Sequence, residues 1–93
     1  MNPGNNYTYI NSAATTVIGA PAPGIRRVNV AGIFINKTTV GTVTIKTGAT
    51  TIGVFAIGTV PNTYWFTDDG VEVADLQIVT SGADDITVSW NNL

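Results

Sequence analysis

The chain contains no cysteine and no histidine. Without cysteine there is no disulfide, no thiolate nucleophile and no zinc–cysteine site. Without histidine, the commonest general base and the commonest transition-metal ligand are both missing. Charge is scarce as well. Asp, Glu, Lys and Arg make up 11% of the 93 residues, against about 25% in an average soluble domain. The cations are Arg26, Arg27, Lys37 and Lys46. Two adjacent and two scattered cations do not form the dense basic face that nucleic acid requires, and attachment to a membrane surface fails on the same ground. No run nears the ~18 apolar residues of a membrane helix; Ala31–Ile35 is a compact apolar run of only five. Nor is there an i, i+3, i+4 apolar stripe of useful length, so helix is not expected. The opening residues 1–6 have neither a positive n-region nor an apolar h-region and do not read as a secretion signal. The expectation is a soluble, disulfide-free protein made in the cytoplasm. It has no nucleic-acid or membrane partner, no metal and no cofactor.

What remains is strand pattern. Residues 70–90 read GVEVADLQIVTSGADDITVSW: two alternating runs around a Ser-Gly-Ala-Asp-Asp turn, which suggest a strand pair. In the second run Ile86, Val88 and Trp90 share one phase and Thr87 and Ser89 the other. Upstream, Tyr7–Ile10 opens an extended segment that Ala13–Ile18 continues. Ala20-Pro21-Ala22-Pro23-Gly24 punctuates the chain as a rigid loop. In Ile25–Ile35 the phase slips at Ala31-Gly32: Val28 and Val30 share one phase, Ile33 and Ile35 the other. A β-bulge is expected there, since an unbroken strand would put one pair on the wrong face. Val43–Lys46 and Ile52–Ile57, around Thr47-Gly48-Ala49, read as a hairpin. Tyr64-Trp65-Phe66 is a short aromatic strand, and the Asp-Gly step in Asp68-Asp69-Gly70 predicts a hairpin turn after it. A second slip at Ala74-Asp75 predicts a bent or bulged strand. The count is about eight short strands at roughly 8–12-residue spacing. That pattern predicts an all-β fold: one antiparallel β-sandwich over residues 1–93 with a polar leader at about 1–6. A domain of this size buries only about 60% of its unfolded surface, so the core is thin. The low charge leaves a neutral surface poorly protected against association, which predicts that other chains cover part of it.

Candidate chemistry is sparse. Asp68-Asp69 and Asp84-Asp85 invite a calcium reading, but Asp beside Gly is first a turn residue, and EF-hand spacing is absent. Glu72 and Asp75 are the other carboxylates; a glycoside-cleaving pair would need a cleft and aromatic platforms around it. No nucleophile elbow or phosphate loop occurs, so no enzyme is expected. Asn6-Tyr7-Thr8 and Asn36-Lys37-Thr38 match the glycosylation acceptor pattern by chance. Tyr64 and Trp65 are neighbours on a strand and must face opposite sides. One faces the core, and the other is free for an interface, where aromatics are enriched. Trp90 is expected in the core. Of Arg26 and Arg27 at most one lies deep, leaving the other a solvated strand start or an inter-subunit ion pair.

Three segments resemble small structural proteins of tailed bacteriophages, of the head decoration or cement type: Asn5–Asn11 (NNYTYIN), Gly41–Ile45 (GTVTI) and Leu76–Val88 (LQIVTSGADDITV). The paired Arg and the Tyr-Trp-Phe cluster depart from that pattern. The resemblance implies a jelly-roll module on the virion surface, bound as a homotrimer to the major capsid protein lattice. Binding energy available only on the intact shell would oppose its rupture, by linkage. Tyr64, Trp65 and Arg27 are the expected contact residues. The alternative is a tail- or fibre-borne module that recognises host glycan through Tyr64, Trp65 and Asp68.

Overall fold

A computed structural model of the chain describes residues 6–18, 27–66 and 70–92. Residues 1–5 of the polar leader, the Pro-containing loop at 20–24, Arg26 and Asp68-Asp69 lie outside the described residues; Asn6 begins the first strand. Nine strands are described: β1 (Asn6–Ile10), β2 (Ala14–Val17), β3 (Arg27–Ile35), β4 (Val43–Thr47), β5 (Thr50–Phe55), β6 (Asn62–Trp65), β7 (Val71–Ala74), β8 (Leu76–Thr80) and β9 (Ile86–Asn92). They form two antiparallel sheets. Sheet A has the order β1-β9-β3-β6, with β7 also on β3, and sheet B has the order β2-β8-β4-β5.

The topology follows from one rule. Strands pair in nested fashion about the β4–β5 turn: β4 with β5, β3 with β6 and β7, β2 with β8, and β1 with β9. The chain is thus one long hairpin, tipped at Gly48-Ala49, where Thr47 pairs with Thr50 and Gly48 has φ 57°. A positive φ at the first residue of a two-residue loop is what Gly permits and the strand twist demands. Rolling this hairpin up docks β9 on β3 and β8 on β4. Eight strands in two sheets, with β6 and β7 counted as one broken edge, make a jelly-roll sandwich.

Alternation then fills the space between the sheets. Sheet A contributes Ile10, Val28, Val30, Ile33, Ile35, Ile86 and Val88; sheet B and its flank contribute Ile18, Val43, Ile45, Leu76 and Ile78. The expected bulge is present: the β3–β9 register shifts between Val30 and Gly32. The shift keeps both valines and both isoleucines inward. The expected β4–β5 hairpin is present too. Trp90 packs half-buried against the core, and its Nε1–H donates to Thr8 Oγ1 at 2.9 Å.

Four expectations need correction, all for one reason: turn signals do not say where the chain goes next. The first extended segment is not continuous, because the chain crosses from sheet A to sheet B at 11–13. The Asp-Gly step does not close a hairpin. β6 and β7 both run antiparallel to β3, β6 against Gly32–Ile35 and β7 against Arg27–Val30. They continue one another along a single edge, which Phe66 N–H extends by donating to Ala31 O at 3.1 Å. The slip at Ala74-Asp75 is a corner between sheets rather than a bend within a strand. Asp75 takes φ 51°, a left-handed conformation that Asp tolerates. Lastly, β8 and β9 share no ladder; they lie in opposite sheets.

Leu76 is fully buried where β8 begins, whereas Val17 is 50% exposed on the edge strand β2. Leu76→Ala is therefore expected to cost about 2–5 kcal/mol in urea unfolding. Val17→Ala should stay within about 0.5 kcal/mol.

Candidate binding surfaces

The two carboxylates of the 81–85 turn divide by phase. Asp84 has the phase of Ile86 and Val88 and points inward; it is 2% exposed. Its Oδ1 accepts hydrogen bonds from Val40 N–H at 2.7 Å and Gly41 N–H at 3.3 Å, while Oδ2 is buried without a partner. Asp84 is thus a clamp on the loop before β4, which the turn reading missed. Asp85 has the opposite phase and sits on the outer side of sheet A. It accepts from Asn36 Nδ2–H at 3.0 Å and lies 3.9 Å from Lys37 Nζ. A hydrogen bond to Asp85 holds the Tyr9 hydroxyl above its ordinary pKa of 10.0, with desolvation and the negative charge of Asp85 adding to the effect.

A second set of bonds ties the loop at 39–42 to the loop at 56–60. Thr39 N–H donates to Thr59 O at 3.1 Å, Gly58 N–H to Thr39 O at 3.0 Å, and Thr59 N–H to Thr39 Oγ1 at 2.8 Å. Thr39 Oγ1–H in turn donates to Ala56 O at 2.9 Å. The two loops form one rim, continuous with the end of β5.

The exposed large apolar side chains fall into two groups. Val40, Ile52, Val54, Ile57 and Val60 belong to that rim and to β5; Tyr7, Tyr9 and Trp65 belong to the outer face of sheet A. Val17 on β2 is the remaining one among the described residues. Between β5 and the β6–β7 edge, the sandwich opens into an apolar groove of ≈ 370 Å³, with Val30, Ile45, Ile52, Phe66, Val71 and Val73 in its walls.

The three expected contact residues are not brought together. Tyr64 faces inward: its ring packs 5.1 Å from that of Phe55, and its hydroxyl donates to Val60 O at 3.0 Å. Tyr64 therefore braces the rim from inside. Trp65 is 56% exposed on the outer face of sheet A, its ring 5.8 Å from that of Phe34 at 80°. Arg27 is exposed on the same outer face and pairs with Glu72. Sequence alternation separates Tyr64 from Trp65 but does not say which is inside. The aromatic neighbours Tyr7 and Phe34 carry no marker of their role beyond their polar-phase positions.

Among the described residues no group of three or more Asp or Glu is placed to hold a metal ion, and no helix is long and apolar enough to cross a membrane. No family model, no curated protein and no solved structure matches the chain.

Asp84→Ala leaves the Val40 and Gly41 amides without their acceptor, so a loss of roughly 1–3 kcal/mol is expected in denaturant unfolding. Tyr9 gives a pH signature. Its pKa is raised in the folded state, so its contribution to stability is complete below the unfolded value near 10 and disappears as pH rises through the folded value. Tyr9→Phe should accordingly lower the melting temperature at neutral pH, and the gap to wild type should shrink above about pH 10. A gap that does not change with pH would contradict the Asp85 hydrogen bond.

Proposed function

We propose that the chain is a structural module of a tailed-phage virion, a decoration protein that seats on the major capsid protein lattice as a homotrimer. The observation that carries this reading is the aliphatic rim. Val40, Ile57 and Val60 are each at least 60% exposed. They ride on loops cross-tied through Thr39, Thr59 and Asp84. Exposed apolar side chains scattered singly are ordinary; grouped ones mark association surfaces. Loops held rigid before contact lose little entropy on binding, so more of the contact energy remains as affinity. Five exposed aliphatics along one rim and edge also match a surface with too few charges to keep copies apart. Nothing in such a role requires a reaction. The module works by adding contacts that exist only on the assembled shell.

Light scattering on the purified protein should give a mass three times the 9.7 kDa of the chain. Sedimentation with phage heads should carry the protein into the pellet. Ile57→Asp, at an exposed loop position, should leave folding intact and abolish both. A wild-type protein that is strictly monomeric and does not bind heads refutes the proposal.

A further inference from the structure

We propose that the groove beside β5 receives an extended, uncharged segment of another protein, which joins sheet B as an added strand and sets a bulky apolar side chain over Gly53. The inference is carried by the groove and the strand edge, not by the rim loops, so it survives failure of the capsid reading.

The first observation is an unfilled position in the core. Gly53 lies opposite Ile45 in the β4–β5 ladder, and Phe55 opposite Val43. Ile45 and Val43 are core residues, and residues directly opposite share a face, so Gly53 faces inward. It brings no side chain there. A Cβ at Gly53 would meet only the Ile45 Cδ1 methyl, at 4.0 Å. The apolar groove of ≈ 370 Å³ lies at this gap, lined in part by the buried side chains of Val30, Ile45 and Val73. No charged side chain lines it among the described residues.

The second observation is an unpaired strand edge. Sheet B ends at β5. On the side away from β4, no backbone bond reaches Thr50–Phe55 among the described residues. Such an edge is commonly guarded by charge or proline. β5 has neither, and no charged residue occurs between Lys46 and Asp68. Its irregularity is at Ile52, which the register skips between Thr51 and Gly53. A bulge interrupts the ladder and confines the regular edge to Gly53–Phe55, so the incoming strand is short and runs beside Gly53.

The two features coincide: the edge that lacks a strand borders the groove that lacks a side chain. The groove is tied across at both ends. At the hairpin tip Gly48 N–H donates to Asp75 O at 2.9 Å, and at the far end the Phe55 and Tyr64 rings stand 5.1 Å apart. In strand addition, main-chain hydrogen bonds give affinity and pockets for alternate side chains give specificity. Here β5 offers the first and the gap at Gly53 the second. A small apolar molecule would fill the groove and leave the edge unpaired.

A second copy of this chain has no suitable strand to give. On its inner face β5 carries Gly53 and Phe55, and Phe55 is held by Tyr64. β2 carries Ala14 and Thr16 on its inner face, opposite Thr80 and Ile78, and neither is bulky and apolar. The inner side chains of the sheet A edges, such as Ile10, Tyr64 and Val73, are packed in or against their own core. The segment therefore comes from a different protein.

The test is an array of capped peptides about ten residues long, built of Thr, Ser and Gln with Val, Ile, Leu or Phe at one central position, followed by calorimetry with the strongest binder. Wild type should bind at least one apolar series and none with Asp at that position. Gly53→Val supplies the missing side chain from within; it should keep or raise the melting temperature and weaken peptide binding by about tenfold or more. Val17→Ala, on the opposite edge of sheet B, should leave binding unchanged. An added strand uses one edge of the peptide, so N-methylation of one alternate set of its amides should cost about tenfold or more, and of the other set far less. Absence of binding across the array, binding that survives Gly53→Val, or equal binding by the two methylated peptides overturns the proposal. So does a Gly53→Val protein whose oligomeric mass differs from wild type, since the groove would then be filled by another copy of the chain.

Discussion

Every other element depends on how β3 keeps its apolar side chains inward over nine residues. It is the longest strand, and it pairs with β9 on one side and with β6 and β7 on the other. A regular strand would alternate strictly, and its two apolar pairs are out of phase. The bulge at Ala31 absorbs the mismatch, so Val28, Val30, Ile33 and Ile35 are all buried. The same irregularity explains the broken edge. Beside the first half of β3 runs β7 and beside the second half β6, with Phe66 N–H bonded to Ala31 O at the join. Removing the bulge would turn one of those pairs out to water, and each such side chain is worth about 1.5–3 kcal/mol of burial.

What was legible in the sequence was local. Period-two alternation identifies the strands, the slip at Ala31-Gly32 identifies the bulge, and Gly48 identifies the hairpin tip. Pairing partners were not legible, because in a rolled hairpin they are distant: β1 pairs with β9 and β2 with β8. Two tightly spaced strands therefore looked like neighbours when the chain had crossed between sheets, as at Asp75 and again between β8 and β9. Asp-Gly told the same partial story. It marks a departure from the strand, and the chain returns to the same edge of β3 at Gly70, whose φ is 77°.

The binding surfaces divide along the same line. Phase alone separates Tyr64 from Trp65 and Asp84 from Asp85, since neighbours on a strand face opposite ways. Phase also contained more than composition suggested. Asp84 shares the parity of Ile86 and Val88, so continuing β9 backwards by one step points its carboxylate inward. The preference of Asp for turns concealed this. The partners it meets, the amides of Val40 and Gly41, lie more than forty positions away in sequence. The aromatic cluster on the outer face of sheet A is still less visible, because Tyr7, Phe34 and Trp65 meet only through the β1–β9–β3–β6 order.

These two kinds of placement explain how a thin domain supports two unlike surfaces. The rim is aliphatic, and it is stiffened from behind by groups that face inward: the Asp84 carboxylate, the Thr39 hydroxyl and the Tyr64 phenol, each bonded to loop backbone. Sheet A is aromatic outside because its midline is small, with Gly32 and Ser89 buried under or beside rings that reach in from both edges. Large residues at those central positions would lift the rings and break the contact between Phe34 and Trp65. In a 93-residue chain with so few charges, surface character cannot be set by ion pairs, which contribute little when exposed. It is set by which apolar groups are left outside and by what lies beneath them.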